Sequence, residues 1–155
     1  MKLLRVQNNQ YLFELEKREK EMLILVLRLY PVIPSAHQPV SKSLAPGDNP
    51  SQHLLDEALA EQRKENKKLV ENFLGDTRHF SETKDSSRMK LTAEEIEWLL
   101  QVLNDVRVGN WILLGSPEEE IWHSEPDSQN APYVWAMELS GFFQMHLLEA
   151  ISTSK

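Results

Sequence analysis

A mainly α fold, a four-helix bundle-like domain with a small N-terminal β-hairpin, is what the 155-residue sequence predicts. Apolar residues recur at helical spacing in four separate segments, and two of these open on capping patterns. The strand-like stretch lies at the start, around an Asn-Asn pair. No internal repeat and no Gly-rich phosphate loop is present. A cysteine-free chain of this length, 41% apolar, can build one core without staples, so 1–155 reads as a single domain.

Taken in order, residues 2–14 read as the hairpin, with Asn8 and Asn9 supplying the positive φ of a tight turn. That register sets Val6 opposite Tyr11 and Leu4 opposite Phe13, all on one face. The period changes after Glu14. Leu15, Met22, Val26, Leu29 and Tyr30 then mark a helix over about 15–30, with the charged run EKREKE on its outer side, and Pro31 and Pro34 end it. Residues 31–49 form a Pro-rich linker. Asn49-Pro50-Ser51-Gln52 opens a helix over about 50–74 as a capping box, ending at Gly75. Its middle, EQRKENKK, is polar nearly all round. Leu55, Leu59, Val70 and Phe73 are its buried stripe, so it should pack at both ends and face water between them. A polar loop is expected from Asp76 to Lys90. Thr92 and Glu95 form a second capping box and open the most apolar segment, a helix over about 92–115 that stops near Gly115-Ser116-Pro117. An acidic loop then leads to a last helix over about 131–151, carrying Trp135, Leu139, Phe142 and Phe143 among its apolar residues.

Charge excludes several functions. The 17 basic and 24 acidic residues leave a net charge of −7. From Leu91 onward there are 2 basic and 11 acidic side chains, a net of −9, so a nucleic-acid role, which needs clustered cations, is disfavoured. An anionic membrane surface is disfavoured for the same reason. No apolar run approaches the roughly 20 residues of a membrane span. Without cysteine or a signal-like start, a cytoplasmic location is the expectation.

The third helix poses the main question. At roughly 100° per residue, Ile96, Leu99, Leu103, Val106 and Trp111 share one side, with Arg107 in its middle. Trp98, Val102, Gly109 and Ile112 form a second apolar side, with Asp105 in its middle. A helix apolar on two sides is either central to the fold or covered by another subunit, which makes a homodimer one expectation. A buried guanidinium needs an acceptor, and Glu138 on the last helix is the expected carboxylate, with Glu149 further on. Asp105 would accept from the Trp98 or Trp111 indole, or line a polar pocket with Asn104 and Arg107.

The segments WLLQVLNDVRVGNWILLG and PYVWAMELSGFFQMHLLEAI resemble an uncharacterised bacterial family. That family's pattern is Trp-Leu, then Leu-Asn-Asp-x-Arg and a small residue, then a terminal helix beginning Tyr-x-Trp. The matching positions are Trp98, Leu99, Leu103, Asn104, Asp105, Arg107, Gly109, Tyr133 and Trp135. The resemblance covers mainly Leu91 to Ile151, while the linker from Pro31 and the loop after Pro117 depart from it. Relatives are often encoded beside the adaptor of the Clp protease, which implies a proteolysis-linked accessory role and no established activity.

Catalytic patterns are sparse. Glu120 and His123 have the Glu-x-x-His spacing of di-metal bundles, but the pattern occurs once and beside prolines, so no metal and no cofactor is expected. His146 reads as a core histidine; His37, His53 and His79 read as surface residues. No nucleophile elbow or triad order is present. Trp122, in the acidic loop, is the tryptophan expected to be most exposed. Two functional readings result. The first is a non-enzymatic accessory or regulatory protein acting through protein contact. The second is a small-molecule-binding domain or enzyme with a pocket around Asn104, Asp105 and Arg107. The candidate binding residues are Asn104, Asp105, Arg107, Trp111 and Glu138.

Overall fold

In a computed structural model the described residues are 1–33, 50–116 and 128–153. The Asn49 cap, most of the 31–49 linker, His37, and the acidic loop with Glu120, Trp122 and His123 lie outside them.

The protein is mainly α, as expected, but its β component is larger than a hairpin. Strands β1 (Lys2–Gln7) and β2 (Gln10–Glu16) are joined by Asn8 and Asn9 at φ 51° and 59°, the double left-handed turn their side chains tolerate. Val6 pairs with Tyr11 as expected. Leu3, not Leu4, stands opposite Phe13, because a bulge between Leu3 and Arg5 takes up one residue. Tyr11, Phe13 and Leu15 are buried, while Leu4 and Val6, on the outer strand, are exposed.

The stretch expected as a polar loop holds a 3-10 turn (Thr77–His79) and two further strands, β3 (Phe80–Glu82) and β4 (Ser86–Thr92). β4 pairs antiparallel with β2, giving the order β1-β2-β4-β3. Ser87, Met89 and Leu91 point into the core, while Arg88 and Lys90 point out. That period-two alternation is present in SSRMKLT, so the strand was legible there.

Helix α1 (Lys17–Arg28) starts two residues later than expected because Leu15 belongs to β2. It buries Leu23, Val26 and Leu27, and Tyr30 follows just beyond it. α3 (Ala93–Leu113) opens on the expected capping box: Glu95 N–H donates to Thr92 Oγ1 at 3.1 Å, and Thr92 N–H donates to Glu95 Oε2 at 2.7 Å. α4 (Ala131–Thr153) packs along α3, and α1 lies against both. Buried side chains of both apolar sides of α3, Val102 as well as Leu99 and Leu103, join one core with the sheet, so the helix is central to the fold. Its two-sided character therefore does not by itself require a second subunit.

Helix α2 (Pro50–Gly75) differs from expectation at its first half. Val70 and Phe73 are buried, with Asn66, but Leu55 and Leu59 are 51% and 46% exposed. The helix packs at one end only. Two closures fix its neighbours: Gln62 Nε2 donates to Gln101 Oε1 at 2.9 Å, and Phe73 meets Trp98 edge-on at 5.6 Å.

Candidate functional site

The expected core ion pair is not formed. Arg107 and Glu138 are both exposed, and among the described residues no carboxylate pairs with Arg107. The reason lies in what α3 buries. Gly109 and Asn110, weak in hydropathy, are buried together with Val102, which turns the covered side roughly a quarter turn away from Arg107. Asn110 is admitted because its Nδ2 donates to Val106 O at 2.7 Å. Arg107 is thus left at the rim, where a long side chain reaches water.

At that rim Arg107 crosses α4 at Gly141. Its guanidinium carbon lies 4.0 Å from where a Cβ at Gly141 would stand. Together they line an open groove of about 580 Å³ with Gln144, Met145, Leu148 and Glu149. A second depression adds Met137, Glu138 and Phe142 to Arg107 and Gly141. Gln144 Nε2 reaches Leu100 O at 3.5 Å, while its Oε1 is buried without a partner. Sequence reasoning passed over Gln144 and Gly141; a polar and a small residue at 141 and 144 of an otherwise apolar helix were the available signal.

The outer side of α4 exposes large apolar residues beside Glu138 and Glu149. Trp135, Met145 and Leu148 are 40%, 48% and 53% exposed. Phe142 is half-buried, edge-on to His146 at 4.5 Å, and His146 Nδ1 lies 3.6 Å from Glu149 Oε2. The buried side holds Met137, Phe143 and Leu147, with Ser140 accommodated by donating to Ala136 O at 2.7 Å.

Asp105 faces the opposite way from Arg107. It is half-buried beside Tyr30, Arg63 and a small cavity of about 50 Å³, which also touches Pro31, Val32 and Gly109. The Tyr30 hydroxyl is buried without a hydrogen bond of ordinary geometry. Burial holds the Asp105 carboxyl above the usual carboxylate range, and Arg63 and Tyr30 only partly offset it. Burial and the Asp105 charge together push the Tyr30 phenol up. The cavity is large enough for water and too small for an ordinary metabolite. Trp98 packs against Phe73 instead of capping Asp105, Trp111 is half-buried, and Asn104 is exposed. The five candidate residues therefore do not converge: Arg107 and Glu138 meet around α4, while Asp105 belongs to a separate cluster.

His79 is not a free surface residue. Its ring lies against Phe73 at 4.5 Å, and Nε2 is 3.8 Å from Asp76 Oδ2 and 3.6 Å from Glu95 Oε1. This setting draws on α2, Asp76 and the start of α3, with His79 Nδ1 3.4 Å from Lys90 O of β4, and a loop reading of this stretch missed it. Among the described residues no group of three or more His, Asp or Glu side chains is placed to hold a metal ion, and no helix is long and apolar enough to cross a membrane. No family model, curated protein or solved structure matches the chain.

Proposed function

We propose that this chain is a small non-enzymatic accessory protein that acts through protein contact, with the outer side of α4 as its docking surface. The observation that carries the reading is a helix, apolar overall, whose outward side leaves large apolar side chains exposed around Glu138 and Glu149. Trp135, Met145 and Leu148 remain half-exposed on it, with Arg107, unpaired among the described residues, beside them. Trp, Met and Arg are the residue types that interfaces concentrate, and an Arg set among apolar groups is a common anchor. The partner this surface suits is an apolar segment carrying a carboxylate, which would meet Arg107 and keep clear of Glu138 and Glu149. On the sequence resemblance alone, with no family model behind it, the proposal extends to a proteolysis-linked, cytoplasmic role.

Affinity capture from the native cell, comparing the intact protein with Arg107→Ala and Leu148→Glu, tests the reading. Both residues are exposed, so both variants should melt close to the parent. Both should lose the same partner. An unchanged set of captured proteins would reject the α4 surface.

A further inference from the structure

We propose that the outer face of the sheet, at the row formed by Arg5, Leu12 and Lys90, docks an acidic peptide segment of a partner protein. This surface is separate from α4 and does not depend on it. Its membership follows from strand alternation. Tyr11, Phe13 and Leu15 of β2 and Met89 and Leu91 of β4 belong to the core, so Leu12, Glu14, Arg88 and Lys90 stand on the other face. Pairing extends that face to β1. Leu12 lies opposite both Arg5 and Lys90, and Glu14 lies opposite both Lys2 and Arg88. The bulge shapes the second row: without its extra residue Leu3 would stand opposite Glu14, and with it Lys2 does, which adds a cation to the face.

Lys2, Arg5, Arg88 and Lys90 are all exposed, and among the described residues none of them forms an ion pair. The acids of this face, Glu14 and Glu16, lie toward its other end, and Glu14 accepts from Ser86 Oγ at 3.1 Å. Arg5, Gln7, Gln10, Leu12 and Lys90 instead line a shallow depression of about 240 Å³ that no acidic side chain borders among the described residues. Two structural roles do not account for this row. A cation that fastens the fold has a carboxylate opposite, as Lys20 has in Glu82, whereas Arg5 and Lys90 have only Leu12 between them. Cations that guard a sheet border belong on outer strands, but Arg88 and Lys90 are on β4, which has a strand on either side.

Charge decides the occupant. Neighbouring strands lie about 4.8 Å apart, so Arg5 and Lys90, two strands apart, are spaced by roughly 10 Å with a half-buried leucine at the centre. The complement is a segment that carries carboxylates on both sides of an apolar side chain. The Gln7 and Gln10 carboxamides beside the row offer it further donors. A nucleic acid is the competing polyanion. Sheets that bind single-stranded RNA stack its bases on aromatic side chains, and the paired outward rows here hold none. Glu14 and Glu16 also oppose a continuous run of phosphates across the face. Because the cations are exposed, the association should be reversible and sensitive to salt.

The test uses the full chain and a fluorescently labelled peptide with the core Glu-Glu-Leu-Glu-Glu between Gly-Ser ends. Anisotropy should show saturable binding that weakens as salt is raised, and none for the same peptide with every Glu replaced by Gln. The double variant Arg5→Glu with Lys90→Glu should melt close to the parent, because both side chains are exposed, and should bind about tenfold more weakly or worse. It should gain affinity for the peptide with Lys in place of Glu, which a merely structural role would not produce. Lys67→Glu with Lys68→Glu, the same change of charge made on exposed residues of α2, should leave binding as it was. Amide resonances that move on titration with the acidic peptide should cluster in β1, β2 and β4. No binding by the parent, or an equal loss in the α2 variant, would overturn the proposal. Shifts confined to α4 would overturn this surface in favour of the other. Tighter binding of a single-stranded RNA of equal charge, lost in the Arg5 and Lys90 variant, would overturn a peptide as the occupant.

Discussion

Gly109 and Gly141 both interrupt apolar helices, yet their surroundings set opposite outcomes for an added methyl group. A Cβ at Gly109 would stand 2.8 Å from Val32 Cβ, a branched carbon fixed to the backbone. Gly109→Ala should therefore destabilise by about 1–3 kcal/mol, outweighing its gain of roughly 1 kcal/mol in helix propensity. At Gly141 the nearest atom is the mobile end of Arg107 at 4.0 Å. Gly141→Ala should stabilise by about 0.5–1 kcal/mol. Thermal melts of the two variants should move in opposite directions. Asp105 offers a pH test. Its native carboxyl titrates above the ordinary value of 3.8, so its favourable contribution is complete below that value and is lost as pH rises through the native value. Asp105→Asn should melt higher than the parent at neutral pH and close to it in acid, and a parallel offset across pH would contradict this. None of these environments was legible from residue type. Asp105 was correctly singled out as a polar group on an apolar side, but its neighbours Tyr30 and Arg63 come from the residues just after α1 and from α2, far away in sequence.

Elements whose signals are local were read correctly, and those fixed by distant pairing were missed. The Asn8-Asn9 turn and the Thr92–Glu95 box are decided within four residues, and both form as read. Thr92→Ala should cost about 1 kcal/mol, measured by denaturant unfolding, because it removes an acceptor from the first turn of the central helix. β4 had its alternation in plain view, yet two serines and two cations made SSRMKLT resemble a loop; it is held in place by pairing with β2. The first half of α2 shows the converse. Leu55 and Leu59 have helical spacing and no core to meet, since spacing specifies a side of a helix but not what stands across from it.

Over the whole molecule, the sheet and α1, α3 and α4 share one continuous core that includes Phe13, Leu27, Leu103 and Phe143. Removal of a fully buried ring from it should be felt everywhere. Phe143→Ala should cost about 3–5 kcal/mol, a large part of the roughly 5–15 kcal/mol that holds a typical domain folded. Tryptophan fluorescence and far-ultraviolet dichroism should shift together in this variant; separate transitions would mean that the two layers unfold independently. The candidate site is less legible than the core at this scale. Its apolar members were visible, but whether Arg107 lay inside or at the rim depended on how α3 rotates against α4.

The bulge at Leu4 reaches beyond the register it alters. It lies in the outermost strand, between Leu3 and Arg5, and the opposite border of the sheet is the three-residue β3. A stray extended polypeptide meets an interrupted row of amides on one border and a short one on the other, which disfavours its pairing there. One displaced leucine thus contributes to a border of the kind that resists edge-to-edge pairing.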